Sequence, residues 1–162
     1  GHGRANADSH LELPHVDTKL EVLIETDFAP FKALNNTPAA MTAHVVYSAL
    51  DDKAPCSTSE LVIRDVVRGQ IGFDGLLFSD DIGMKALSGP LVVRISSVLQ
   101  AGCDIALHCD GNFEAMVEIA ASCPPMGDKS LDRLRRAKSV ASDSQDFDAE
   151  AAKRRISAFF KI

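Results

Sequence analysis

The stretch Gly75-Leu76-Leu77-Phe78-Ser79-Asp80-Asp81-Ile82-Gly83-Met84 decides how the chain folds. An uninterrupted apolar run ends abruptly in two adjacent carboxylates, and a helical pattern resumes a few residues later. Such a run, bounded by Gly75 and an acidic pair, predicts a buried strand that delivers charge to its C-terminal end. In α/β folds that end of a strand is where chemistry is usually placed. Two readings of the carboxylates stand side by side. Ser79-Asp80 precedes a helical segment and could cap it, because acidic side chains favour helix N-termini. Alternatively, one carboxylate points into whatever the end of this apolar strand faces.

Outward from this strand the pattern repeats. Ala39 to Tyr47 is a second buried-strand candidate, and Asp104-Ile105-Ala106-Leu107-His108 a third. Between the second candidate and the central stretch, Ser57 or Ser59 caps a helix with Leu61, Val62, Asp65, Val66 and Ile71 along one side, ended by Gly72. A helix from Leu91 to Gln100, closed by Gly102, leads to the third strand. Upstream, Thr18 and Glu21 have the spacing of a capping box. Leu20, Leu23, Ile24 and Phe28 follow at helical spacing; Pro30 kinks or restarts the helix, and Asn35-Asn36 ends it. Residues 1–17, rich in Gly, Asn, Asp, Ser and Pro without apolar periodicity, read as loop. Downstream lie helices from Asn112 to Ala121, Asp128 to Ala141 and Asp146 to Phe160, the last with Ile156, Phe159 and Phe160 on its apolar side. Strands separated by helices pair in parallel. Three of them cannot close a barrel and leave two sheet edges open. The expectation is an α/β fold, either a small open sheet or part of a (β/α)8 barrel.

Composition narrows the class. With 162 residues and 46% hydrophobic content, the chain can bury the core of one ordinary domain. Its 23 acidic against 17 basic residues leave a net charge of −6. No basic stripe with interleaved aromatics is present, so no nucleic-acid partner is expected. No apolar run approaches the roughly 20 residues of a membrane helix, and no charged-then-apolar leader opens the chain. Cys56, Cys103, Cys109 and Cys123 form no CxxC pair and no zinc spacing with histidine; they read as reduced structural thiols, and no metal or cofactor is expected.

Candidate reactive groups are few. Asp8-Ser9-His10 spaces a carboxylate two residues from an imidazole, close enough to hydrogen-bond one ring nitrogen and raise the basicity of the other. The same residues also suit an exposed turn. His44 sits in the second strand candidate, where a ligand-facing role and a satisfied core histidine are both open. His108 has the same two readings on the third strand. His2 and His15 read as solvated. No GxGxxG, Walker-type or GxSxG stretch is present.

These motifs carry a resemblance. Gly1-His2-Gly3-Arg4-Ala5-Asn6-Ala7-Asp8-Ser9-His10-Leu11-Glu12-Leu13-Pro14 resembles the catalytic loop of glycoside hydrolase family 3 β-N-acetylhexosaminidases, which has the form Lys-His-Phe-Pro-Gly-His-Gly, four residues, then Asp-Ser-His. Met41-Thr42-Ala43-His44 and Gly72 to Met84 resemble the next two strands of those enzymes, and Ala101 to Leu107 their last barrel strand. The match is ordered from residue 1 to about residue 122 and is nearest the bacterial NagZ type.

The resemblance implies the C-terminal part, about strands six to eight with their helices, of an incomplete (β/α)8 barrel, a fold of about 250 residues. Residues 1–17 would be the catalytic loop, 18–141 the βα units and 142–162 the C-terminal helix. It implies a retaining β-N-acetylhexosaminidase with Asp80 as nucleophile, His10 as acid/base and Asp8 as its partner, with His44 a candidate substrate contact. Cytoplasmic peptidoglycan recycling, with an N-acetylglucosamine-containing muropeptide as carbohydrate substrate, comes with the family. The sugar-gripping residues and the N-terminal half of the barrel would precede Gly1, so the isolated chain is expected to be inactive. The alternative is a truncated, non-catalytic remnant that binds a partner or sugar as a half-barrel.

Overall fold

The computed structural model describes residues 2–142 and 148–160. In chain order the elements are strand β1 (His15–Val16), helix α1 (Leu20–Val22) running into a π-helical turn (Leu23–Asp27), helix α2 (Ala29–Ala33), and strands β2 (Ala39–Met41) and β3 (Val46–Tyr47). A second π-helical segment (Val62–Gln70) leads to strand β4 (Leu76–Asp81). Helix α3 (Leu91–Ala101), strand β5 (Ile105–Leu107) and helices α4 (Phe113–Ser122), α5 (Asp128–Ser142) and α6 (Ala149–Phe160) complete the order.

All strand pairs are parallel. The main sheet runs β2-β4-β5, with Ala39 opposite Leu76, Met41 opposite Phe78, and Phe78 opposite Ile105. The central stretch is therefore the middle strand, and Leu76 and Leu77 are buried as its apolar run requires. Among the described residues no strand pairs with the outer edge of β2 or of β5. No described helix is long and apolar enough to cross a membrane.

The structure corrects several expectations. The second strand candidate is not continuous: it breaks after Met41, and Val46–Tyr47 pairs instead with β1 in a separate two-stranded ladder. Part of the opening segment is thus strand, and its two residues were too short a run for periodicity to register. Thr18 does not cap the first helix; Lys19 occupies the N-cap position without a side-chain bond. Ser59 is the serine that caps the second π-helical region, accepting from the Val62 N–H at 3.2 Å while donating to Asp51. Asn112 caps α4 through the Ala115 N–H. Gly102 closes α3 in the left-handed region at φ +112°, a conformation glycine adopts without steric cost. On α6, Ile156 and Phe159 are exposed; Asp146, placed at the start of that helix, lies outside the described residues.

Two apolar clusters share the second π-helical segment. Ile63 packs with Leu77, Ile82, Ile95 and Val98 between the sheet and α3. Val62 and Val66 pack with Leu23, Phe28, Val45 and Tyr47 beneath the smaller ladder. One segment thereby ties the loop-bearing N-terminal region to the central sheet. At Gly75 the approach is so close that a Cβ would lie 2.6 Å from both the Thr37 carbonyl and the Phe73 ring, so only glycine fits at the start of β4.

Candidate active site

The C-terminal end of β4 is irregular, and the irregularity sorts its two carboxylates. Between the Phe78–Ile105 and Asp81–Leu107 pairs, β4 advances three residues while β5 advances two. The extra residue makes a β-bulge at Ser79-Asp80, a device that re-aims side chains beside functional sites. Ser79 is fully buried. Its Oγ accepts from the Leu107 N–H at 3.0 Å and donates to the Asp80 carbonyl at 2.7 Å.

Asp81 is committed to holding loops. Its Oδ1 accepts from the N–H groups of Gly83 (2.9 Å) and Cys109 (3.2 Å), and its carbonyl accepts from His44 Nε2 (2.9 Å). Asp80 is half-buried, and its Oδ1 accepts from the Asp81 N–H at 3.0 Å. Its second oxygen has no protein donor among the described residues. Asp81 Oδ2 likewise has no protein donor among the described residues; the two carboxylates differ at Oδ1, which takes one backbone N–H in Asp80 and two in Asp81.

His44 is entirely buried. Because the Asp81 carbonyl can only accept, the ring proton is assigned to Nε2, and Nδ1 accepts from the Ser57 hydroxyl at 2.6 Å. Burial lowers its pKa, opposed by the bond to Asp81 and the charges of Asp80 and Asp81. Of the two readings open for His44, the structure shows the buried ring with both nitrogens engaged, supporting the β4 end from behind.

Asp8 and His10 are brought together as their spacing suggested. Asp8 Oδ1 lies 2.9 Å from His10 Nδ1 and also accepts the His10 backbone N–H at 2.9 Å. That backbone bond, then the ring, holds the Asp8 carboxyl below its ordinary pKa. The His10 side chain is 75% exposed, so the pair faces solvent rather than a closed core. Ser9 between them is buried, and its carbonyl accepts from the Ala86 N–H at 3.3 Å, which ties this loop to the segment after β4. Among the described residues no hydrogen bond joins His10 to Asp80.

His108, at the end of β5, is nearly buried. Its Nε2 lies 2.7 Å from Asp110 Oδ1 and its Nδ1 3.7 Å from Asp81 Oδ1, but neither contact has hydrogen-bond alignment. Cys109 beside it is exposed, and all four cysteines are free thiols.

Sequence reasoning missed three supports. Ser57 and Ser79 are small polar residues in apolar surroundings, where hydroxyl partners cannot be read from spacing. Arg94 projects from α3 to donate to the carbonyls of Ile82 (2.8 Å), Met84 (3.0 Å) and Gly89 (2.9 Å), holding the loop after β4. A lone arginine in the apolar run Leu91-Val92-Val93-Arg94-Ile95 was the available signal.

Residues 1–136 match the glycosyl hydrolase family 3 N terminal domain. The chain belongs to this family. Among curated family 3 relatives, it is 38% identical over 143 residues to a β-hexosaminidase of Histophilus somni strain 2336, a match covering 85% of this chain and 40% of the relative. A β-hexosaminidase of Chromobacterium violaceum is 40% identical over 151 residues, covering 90% of this chain and 42% of the relative. The chain therefore spans about 40% of the length of these relatives.

Solved structures agree. NagZ from Neisseria gonorrhoeae, in complex with N-trifluoroacetyl-D-glucosamine, superposes with a TM-score of 0.77 at 30% identity, over 98% of this chain and 48% of that one. A glycoside hydrolase family 3 β-N-acetylglucosaminidase from Paenibacillus sp. str. FPU-7 superposes with a TM-score of 0.68 at 29% identity, over 92% and 32% of the two chains.

Proposed function

We propose that this chain carries the reacting groups of a retaining β-N-acetylhexosaminidase that releases terminal β-linked N-acetylglucosamine. The observation that carries the reading is the Asp8–His10 contact at 2.9 Å, in an exposed loop bonded to the segment that follows β4. A retaining glycosidase needs a nucleophile and a group that first donates and then accepts a proton. An imidazole can both donate and accept a proton, and its neutral form avoids repulsion with the Asp80 carboxylate.

In the first step the free Asp80 oxygen attacks the anomeric carbon. The bond to the leaving oxygen breaks, and His10 gives that oxygen its Nε2 proton. In the second step neutral His10 takes a proton from water, the water oxygen bonds the anomeric carbon, and the ester to Asp80 breaks. Asp8 fixes the tautomer and stabilises the imidazolium, as the acid does in a Ser-His-Asp triad. The N-trifluoroacetyl-D-glucosamine bound by the Neisseria protein supports the substrate class.

In this reading β2, β4 and β5 are about the sixth to eighth strands of a (β/α)8 barrel, and the sugar-gripping residues lie on strands outside this chain. The aglycone is the muropeptide portion of a cell-wall fragment, and the setting is cytoplasmic recycling. A 2-fluoro or 5-fluoro sugar supplied to the full-length protein, followed by mass spectrometry, should place the label on Asp80. A label on Asp81 overturns the assignment.

The outer edges of β2 and β5, unpaired among the described residues, leave surfaces on which a second reading rests. In it the chain is a non-catalytic remnant that binds a partner or sugar as a half-barrel. The coding sequence upstream of Gly1 decides between them: Lys-His-Phe-Pro supports the enzyme, and a start codon there supports the remnant.

A further inference from the structure

We infer that Ser79 is a positioning residue for Asp80: its buried hydroxyl bridges the bulge in β4 and thereby sets the direction of the Asp80 carboxylate. The inference rests on the reading of Asp80 as nucleophile and adds what aims it.

A bulge costs the ladder a regular hydrogen bond. Here the Leu107 N–H of β5, which faces the irregular part of β4, donates to Ser79 Oγ at 3.0 Å, adding a side-chain bond where the ladder is irregular. The hydroxyl passes its own proton to the Asp80 carbonyl at 2.7 Å. That carbonyl belongs to the peptide unit joining Asp80 to Asp81. The N–H of the same unit donates to Asp80 Oδ1 at 3.0 Å. One peptide plane is therefore held at its oxygen by Ser79, and its nitrogen in turn holds the carboxylate. Fixing the plane fixes Oδ1, and with Oδ1 fixed the second oxygen has one direction in which to attack.

Burial makes the hydroxyl hard to replace. Ser79 has no exposed surface, so truncation to alanine removes the hydroxyl from both the Leu107 N–H and the Asp80 carbonyl at a position no solvent reaches to replace it. Threonine keeps the oxygen and both bonds. Asp81 reinforces the same end of β4 from outside, through Gly83, Cys109 and His44, without touching the plane's carbonyl.

The test uses the full-length protein in which this chain occurs. Ser79→Ala should slow both kcat and the rate of Asp80 labelling by a fluoro sugar on the order of a hundredfold, the scale of a misplaced reacting group, with KM little changed. Ser79→Thr should restore both rates. Titration of active sites with the same sugar separates a slower enzyme from a smaller folded fraction. If Ser79→Ala does not fold, Ser79→Thr and Ser79→Cys carry the comparison: the weaker sulfur acceptor should slow labelling and threonine should not. Wild-type labelling at Asp80 together with an unslowed Ser79→Ala, or an unslowed Ser79→Cys, overturns the inference alone. Wild-type labelling elsewhere overturns the nucleophile assignment and the inference together.

Discussion

His10 and His44 are both imidazoles near the end of β4, yet their surroundings give them opposite work. His10 is exposed and paired with a carboxylate that the His10 backbone keeps ionised. In its proposed role it exchanges a proton with a bound sugar. Its replacement should therefore slow substrates with poor leaving groups far more than activated aryl glycosides, which need little protonation. Equal losses on both, measured as kcat/KM, would remove it from the acid/base role. His44 is sealed, and burial depresses its pKa below 6.5. The unfolded chain binds a proton near 6.5 and the folded chain resists it. Between the two values the unfolded state holds more protons, so this group's contribution to stability is complete above 6.5 and declines as pH falls. Urea midpoints should drop between about pH 7.5 and about pH 5.5, and less so in His44→Gln. An identical drop in the variant would show that His44 is not the group responsible.

At the scale of elements, α5 is anchored to the sheet by Asp104. Its Oδ2 accepts from the Leu77 N–H and from Arg68, both at 2.9 Å. Its Oδ1 accepts from Ser130 (2.5 Å) and Arg133 (3.1 Å) on α5. Burial opposes ionisation, but the bonds from Ser130, the Leu77 N–H and Arg133 outweigh it, and the carboxyl sits below its ordinary pKa. Arg133 and Arg136 also hold Asp74, whose pKa falls to about 2. Removing the buried carboxylate takes from Arg68 its ion-pair partner and from the Leu77 N–H its acceptor, so Asp104→Ala should lose about 3–5 kcal/mol in chemical denaturation. A loss within experimental error would mean that α5 is held by other contacts.

At the scale of the whole molecule, apolar surface gathers at both open sides of the sheet. Beyond β2, a cavity of about 360 Å³ is walled by Phe28, Phe31, Leu34, Met41 and Phe73. Beyond β5, α4 exposes Phe113, Met116 and Val117. Unpaired strand edges and such faces are usually covered by further strands and helices. The proposed reacting groups lie at one end of this open sheet, while the proposed sugar-gripping residues lie outside the chain. The 162-residue chain alone should therefore turn over 4-nitrophenyl N-acetylglucosaminide little or not at all. Robust hydrolysis by the purified chain would show that the proposed further strands are dispensable.

Local signals were sufficient for the α/β order, the middle strand from Leu76 and the helices from Leu91 and Asn112, whereas the spacing of Asp8 and His10 suited a pair and an exposed turn alike. Each depends on neighbours in sequence: apolar runs, helical periodicity, a capping side chain, or two groups two residues apart. The ordered motifs of the family also singled out Asp80 from Asp81, which composition and spacing left equivalent. Other features depend on partners far along the chain and were not legible. The pairing of β1 with β3 joins two-residue strands about thirty residues apart. The burial of His44 depends on Ser57 and Asp81, and the loop after β4 depends on Arg94. Above all, the bulge arises from the mismatch of β4 with β5, a property of two strands that neither contains alone. The sequence by itself determined which groups stand at the strand end; only the tertiary structure decided that Asp81 Oδ1 gathers the N–H groups of Gly83 and Cys109 from two loops while Asp80 Oδ1 takes only the N–H of its own neighbour, because the loop carrying Cys109 meets the strand end through the fold and not along the chain.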